Sequence, residues 1–350
     1  MNLLAPPLQH PLNPSVPDGN VTAMLEALAQ RQFFKLIGGG SFTEADKIAA
    51  MAQSYAMAGV DCIDIAPDLV VIDAVSEAIR QLPGQSHQLP LDHPKAKKPV
   101  LMISLPLDPD PHFRKIELAE PACIRCGLCL PACPTEAITL PDMLEIAQSL
   151  CYGCGRCVPV CPTDALSMLP FQVESQIDAV LKHPAVQAVE IHTRFADPLM
   201  LTSFLSRWYT ELQDKLLSLC FRPGDIPAPQ LLDFCSVAQQ FSALPILLQI
   251  DGAPMSGTDD PDASLAALEG AVLMRELAQN QPNFPSITIS GGINRYTADW
   301  LKRPEYHFIA GVGMGTMARK AIWNVTGDRA HEKAREMVAL FKHAERLKKP

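Results

Sequence analysis

No apolar run in the sequence approaches the roughly 20 residues that a membrane helix needs, and the N-terminus lacks the charged-then-apolar layout of a secretory signal. Basic residues are scarce. The 29 Lys and Arg face 38 Asp and Glu, and the formal net charge of −9 argues against nucleic acid as the main partner. The 9 histidines include no HExxH pair and no compact metal set. Aromatic residues reach only 6% and charged residues 19%, against 48% hydrophobic, the balance of a globular chain with a sizeable core. No membrane span and no nucleic acid are expected, and the missing export signal, taken with the thiolate ligands between 123 and 162, makes a reducing cytoplasm the expected setting.

Proline and cysteine are plentiful instead. Many of the 32 prolines lie near the N-terminus and in connections, where they stiffen loops. Of 11 cysteines, eight fall between 123 and 162, in two runs. Cys123, Cys126, Cys129 and Cys133 form the first, and Cys151, Cys154, Cys157 and Cys161 the second. Each reads C-x2-C-x2-C-x3-C-P, the bacterial-ferredoxin spacing for a [4Fe–4S] cluster. The runs repeat at an offset of 28 residues, with Gly127/Gly155, Pro131/Pro159, Thr135/Thr163 and Ala137/Ala165 in step, which marks an internal duplication.

Three thiolates on a tight loop can wrap three irons of a cube, and in two-cluster ferredoxins the fourth cysteine of each run serves the other cluster. The expected ligand sets are Cys123, Cys126, Cys129 and Cys161 for cluster A, and Cys151, Cys154, Cys157 and Cys133 for cluster B. Zinc usually takes paired ligands with wider gaps, and disulfides need an oxidising compartment. Both fit this pattern less well.

Around the cysteine block, strands and helices alternate. Strands are expected at 33–37, 61–65, 100–104, 188–192, 216–221, 245–250, 286–290 and 307–310, with helices between them; Thr43 is the expected cap of the second helix and Gly59 its stop. Eight strands in βα alternation are the count for a TIM-type (β/α)8 barrel, with an open doubly wound sheet as the alternative. The expected organisation is an extended arm over 1–20, a first barrel part over 21–109, an α+β 2[4Fe–4S] ferredoxin-like insert over 110–170, and the rest of the barrel over 171–350. The insert would leave strand three on the C-terminal face, where barrel chemistry sits.

Several further residues invite a function, each beside a plainer role. Gly291 and Gly292 after strand seven, and Gly311 and Gly313 after strand eight, resemble barrel turns that cradle a phosphate or FMN through backbone amides. They could equally be tight turns. Asp64, Ser104, His192, Arg194, Gln249 and Asp251 would point into one mouth, as ligand contacts or as a satisfied polar rim. Lys35 within strand one reads as a buried functional amine or, the favoured expectation, a snorkelling residue. Cys62, Cys220 and Cys235 read as small buried hydrophobes. Arg125 and Arg156 could raise the cluster potential, dock a partner or remain solvated. The stretch 329–349 reads as a solvated amphipathic helix.

The phrases Phe34-Lys-Leu-Ile37, Ala58-Gly-Val-Asp-Cys-Ile-Asp64, Ile250-Asp-Gly-Ala-Pro-Met-Ser-Gly257 and Ile289-Ser-Gly-Gly-Ile-Asn294, together with the doubled cysteine motif, resemble the cyanobacterial light-dependent period (LdpA) family of iron–sulfur proteins. The resemblance covers nearly all of the chain beyond residue 20. It implies two [4Fe–4S] clusters on the eight cysteines above, sensing of light-dependent cellular redox state, and circadian-input and clock proteins as partners. It places no catalytic residue. The rival expectation is an oxidoreductase whose clusters pass electrons to a flavin or another phosphate-bearing ligand at the glycine loops. A plain carrier exchanging electrons with soluble donors is the third.

Overall fold

The structure is a computed structural model and describes residues 17–82, 98–194, 197–252, 258–277 and 284–342. The expected arm before residue 17, residues 83–97, part of the 250–257 phrase and the end of the expected 329–349 helix beyond 342 lie outside the described residues.

Asp18 caps the first helix, α1 (Gly19–Ala29), by accepting the Asn20 amide at 3.0 Å. Then come β1 (Phe33–Gly39), α2 (Ala45–Met57), β2 (Cys62–Ile65), α3 (Leu69–Arg80) and β3 (Val100–Pro106). The cysteine block carries β4 (Arg114–Leu118), β5 (Ile138–Thr139), β6 (Glu145–Ile146) and β7 (Leu166–Pro170). Alternation resumes with α4 (Ile177–Lys182), β8 (Ala188–His192), α5 (Pro198–Arg207), α6 (Tyr209–Leu212), β9 (Leu216–Phe221), α7 (Ala228–Gln240), β10 (Leu247–Asp251) and α8 (Leu265–Leu277). The described chain closes with β11 (Ser286–Ser290), α9 (Thr297–Trp300), β12 (Gly311–Met314), α10 (Thr316–Ile322) and α11 (Gly327–Lys342).

Eight strands close a parallel barrel in the order β1-β2-β3-β8-β9-β10-β11-β12, with β12 returning to β1. The open sheet is thereby excluded. Alternate residues face opposite sides of a strand, so Leu36, Ile63, Ile103, Val189 and Leu248 pack outward against the helices. At the N-terminal end, Val21, Met24 and Leu28 of α1 pack against Phe33, Val100 and Leu216 and close the barrel bottom.

Two expectations change. Strand eight is not 307–310 but Gly311–Met314, so Gly311 and Gly313 lie within a strand and not in a loop after it. A Cβ on Gly311 would collide with the Phe33 carbonyl, and one on Gly313 would meet Ile37 Cδ1 at 2.9 Å. Glycine here serves close strand approach and a crowded lumen. Thr43 does not cap α2. Glu44 stands at the N-cap without a side-chain bond, and both residues hold the cysteine block instead. Thr43 donates its amide to the Ser149 carbonyl at 3.1 Å, and the Glu44 carboxylate accepts from Ser149 Oγ at 2.6 Å. Gly59 does end α2, with φ +85°.

Candidate functional site

The cysteine block is a small two-fold repeat in its backbone as well as its sequence. β4 pairs antiparallel with β7, and β5 with β6. Left-handed residues recur at matched places: Arg125 (φ 57°) with Gly153 (φ 73°), Gly127 (φ 73°) with Gly155 (φ 71°), and Glu136 (φ 57°) with Asp164 (φ 52°). The pair 125/153 differs for a reason. Arg125 is exposed, whereas a Cβ on Gly153 would collide with the Arg114 carbonyl on the side facing the barrel.

The cysteines gather in two sets of four. Cys123, Cys126, Cys129 and Cys161 line one recess, and Cys133, Cys151, Cys154 and Cys157 line another. None of these cysteines forms a disulfide. The Ala137 amide donates to Cys133 Sγ and the Ala165 amide to Cys161 Sγ, both at 3.3 Å. Backbone hydrogen bonds led by the Thr163 amide pull the Cys161 thiol down, while burial pushes Cys157 up to about 12. A metal takes such a thiol as its thiolate, with release of the proton. Four soft sulfur donors around each recess, with a backbone amide aimed at one of the four, fit an iron–sulfur cluster in each set.

The block is seated on the C-terminal mouth of the barrel. Within the block Arg114 donates to the Gly153 carbonyl at 2.9 Å and Lys115 Nζ to the carbonyls of Gln148 and Cys151 at 2.6 and 2.8 Å, and Lys115 Nζ also reaches Thr43 Oγ1 beside α2 at 3.5 Å. Phe113 packs so closely that a Cβ on Gly40 would stand 2.7 Å from its ring. Tyr152 lies against Arg319 of α10, the guanidinium carbon 4.6 Å from the ring centroid.

Asp64, Ser104, His192, Gln249 and Asp251 do converge, around a mouth cavity also lined by Cys154, Tyr152, Gly291, Gly292 and Gly313. Gly311 packs on the Phe33 backbone instead. Arg194 lies to one side and spends its charge on Asp225 at 2.6 Å. Most of the rim is satisfied: Ser104 Oγ donates to Asp64 at 2.7 Å, and Ser290 Oγ to Asp251 at 2.8 Å.

Lys35 does not snorkel. It is 0% exposed inside the lumen, its Nζ 2.5 Å from Glu190 Oε2 and 3.8 Å from Asp64 Oδ2. Burial pulls the ammonium down, but Glu190 and Asp64 outweigh it and hold Lys35 above its ordinary range. Burial likewise pushes Glu190 up, and Lys35 and His192 together outweigh it, leaving that carboxyl below its usual range. Lys35 is thus a fixed cation and not a nucleophilic amine.

Cys62, Cys220 and Cys235 are buried, as their spacing suggested. Cys220 is more than a hydrophobe, since Gln249 Nε2 donates to its sulfur at 3.5 Å. Glu190, Asp110, His112 and Arg319 are site residues that sequence reasoning missed. Glu190 had a signal, because it stands two residues before His192 on the same strand and so shares its face. The other three had none.

Two family models match. One, described as the light dependent period A C-terminal domain, covers residues 180–350, and one described as a 4Fe-4S dicluster domain covers 122–165. A curated relative, light dependent period A of Synechococcus elongatus, is 31% identical over 314 residues, 84% of this chain and 82% of the relative. The chain belongs to the light dependent period A family. Among solved structures, Mycobacterium tuberculosis tryptophan synthase aligns over 94% of this chain and all of that one, at 10% identity and TM-score 0.49. The (S)-3-O-geranylgeranylglyceryl phosphate synthase of Thermoplasma acidophilum aligns over 91% and 97%, at 12% identity and TM-score 0.43. For this family member the cysteine block and the mouth cavity share a wall, since Cys154 lines both. No helix among the described residues is long and apolar enough to cross a membrane.

Proposed function

We propose that the chain is an iron–sulfur protein of light-dependent period control, carrying two [4Fe–4S] clusters and passing cellular redox state to protein partners of the circadian pathway. The observation that carries this reading is the sorting of eight cysteines into two recesses, each with three sulfurs from one run and the fourth from the other. Cys123, Cys126, Cys129 and Cys161 would hold cluster A, and Cys151, Cys154, Cys157 and Cys133 cluster B. When bound, such clusters supply one-electron redox chemistry at potentials set by hydrogen bonds to sulfur, net charge and exposure.

The chain's own residues do the rest. Ala137 and Ala165 donate to sulfurs, and Gly153 and Gly155 let the second loop close on Arg114. Tyr152 ties that loop to Arg319, so rearrangement of the loop is felt at the barrel mouth. A partner reads such a change only if it binds the two redox states with different affinity.

Anaerobic purification with iron and sulfide analysis, and absorption before and after dithionite, tests the cluster content. About eight irons and eight sulfides per chain with a bleaching band are expected; zinc in their place would overturn the reading. Partner capture by holo, oxidised and cluster-free protein tests the sensing step, and identical capture in all three states would sink it. A second reading, electron delivery to a flavin or another phosphate-bearing ligand beside Gly291, Gly292 and Gly313, is favoured by Cys154 in the cavity wall. Flavin absorbance or FMN binding by the purified protein is its test.

A further inference from the structure

The barrel mouth holds a second donor group that the cysteine block does not use. Asp110 and His112 lie between β3 and β4, His192 ends β8, and Asp251 ends β10. His112 Nδ1 is 2.7 Å from Asp110 Oδ1, and His192 Nδ1 is 3.4 Å from Asp110 Oδ2. His112 Nε2 is 3.4 Å from Asp251 Oδ2, and His192 Nε2 is 3.4 Å from Glu190 Oε1. One donor atom from each of Asp110, His112 and His192 lies within 4.8 Å of the other two.

We propose that Asp110, His112 and His192 bind a divalent transition-metal ion of the zinc or ferrous type at the barrel mouth, separate from the cysteine clusters. Spacing is the first argument. Ligands at the usual 2.0–2.1 Å from a tetrahedral ion stand roughly 3.3–3.4 Å apart, whereas N–H···O bonds settle at about 2.7–3.2 Å. The 3.4 Å separation of His192 Nδ1 from Asp110 Oδ2 matches the former.

Orientation is the second. His112 would bind through Nδ1, the nitrogen on the side of Asp110, while Asp251 faces its Nε2, and His192 through Nδ1 while Glu190 faces its Nε2. A carboxylate behind each ligating imidazole is the usual support of such a ligand. Two histidines and one carboxylate leave coordination positions open, as in catalytic zinc and non-haem ferrous sites.

Charge and an orphaned acceptor complete the case. Asp64, Asp110, Glu190 and Asp251 are each at most 7% exposed, and Lys35 is the buried ammonium among them. Arg319 is turned to the Ile37 and Gly38 carbonyls, Arg194 is paired with Asp225, and Arg222 is exposed. A divalent ion offsets the remaining negative charge in a region where unpaired carboxylates are costly. Gln249 lines the same cavity at 2% exposure. Its Nε2 is fixed on Glu190 at 2.9 Å, and its buried Oε1 has no hydrogen-bond partner. An ion with open positions would bring water, a hydrogen-bond donor, into the cavity that this oxygen lines.

The test uses the full chain, purified anaerobically, stripped of loose metal and titrated with Zn²⁺, with zinc, iron and sulfide counted per chain. One zinc beyond the cluster iron is expected. His112→Ala should weaken zinc binding by at least about 100-fold, and Asp251→Asn by about 10-fold or more, with iron and sulfide unchanged. His112 carries the test because its side chain is 28% exposed, so its loss does not open the core. Equal zinc binding by wild type and His112→Ala, or no zinc retained by the wild type, overturns the proposal. Loss of iron and sulfide reports on the cluster reading, and loss of zinc alone on this one.

Discussion

Arg319 and Tyr152 join the barrel to the cysteine block. The guanidinium of Arg319, buried at 7% exposure, lies against the Tyr152 ring while Nη1 donates to the Ile37 and Gly38 carbonyls, each at 3.0 Å. Its other nitrogen, Nη2, donates to Thr316 Oγ1 at 3.1 Å. One side chain thus spans β1, α10 and the loop that carries Cys151 and Cys154. Replacing it with methionine keeps much of the volume but leaves two carbonyls without their donor. Arg319→Met should destabilise the protein by about 3 kcal/mol. Denaturant unfolding of wild type and variant measures this, and a change below about 0.5 kcal/mol would refute the role given to Arg319.

Lys35 is the buried cation on which Glu190 and Asp64 depend. Lys35→Met leaves two carboxylates in the lumen without their ammonium and should cost about 3–5 kcal/mol. Adding Glu190→Gln removes one of the stranded charges and should recover part of that loss. A double-mutant cycle from thermal or denaturant unfolding gives the coupling; additive losses would contradict the pairing.

Two glycines with positive φ separate strain from collision. Gly59 (φ +85°) has nothing within 4 Å of a Cβ, so Gly59→Ala should cost about 1–2 kcal/mol from backbone conformation alone. At Gly292 (φ +72°) a Cβ would run into the Ala263 carbonyl, so Gly292→Ala should cost clearly more and should also disturb the mouth cavity it lines. Comparing the two variants by unfolding isolates the difference.

The crossed cysteine sets make a pairing prediction. If each recess holds a cluster, Cys161→Ala should disable the one built on Cys123, Cys126 and Cys129, and Cys133→Ala the one built on Cys151, Cys154 and Cys157. Each single variant should keep about half of the iron. Electron paramagnetic resonance of the reduced proteins tells which signal survives; loss of the same signal in both variants would disprove the crossed assignment.

Thiol chemistry should divide the 11 cysteines. Burial pushes Cys235 up to about 12 and Cys62 well above its ordinary range. In folded, cluster-free protein at pH 8, these two should resist alkylation while exposed Cys126 reacts. Mass spectrometry of iodoacetamide-treated protein reads the pattern.

Much of the architecture was legible along the chain because it rests on local rules. The C-x2-C-x2-C-x3-C-P runs fold as tight loops wherever they occur, and their 28-residue offset announces the repeat. Gly59 marks a helix end, and the βα alternation counts to eight. Strand eight escaped because a Gly-Val-Gly-Met run reads as a turn. It becomes a strand only when Phe33, Ile37 and Gln249 crowd the space its side chains would need.

By itself, then, the sequence determined the barrel class, the doubled cysteine module and which cysteines could act together, since those depend on period and spacing over a few residues. Only the tertiary structure decided the partners of Lys35, the place of Arg319, and the meeting of Asp110 and His112 with His192 some 80 residues later. Those contacts exist because closure of the barrel brings the C-terminal ends of distant strands to one mouth, and the lead-in to the insert is folded over it. Burial then sets the charge of each group through neighbours that sequence distance does not reveal.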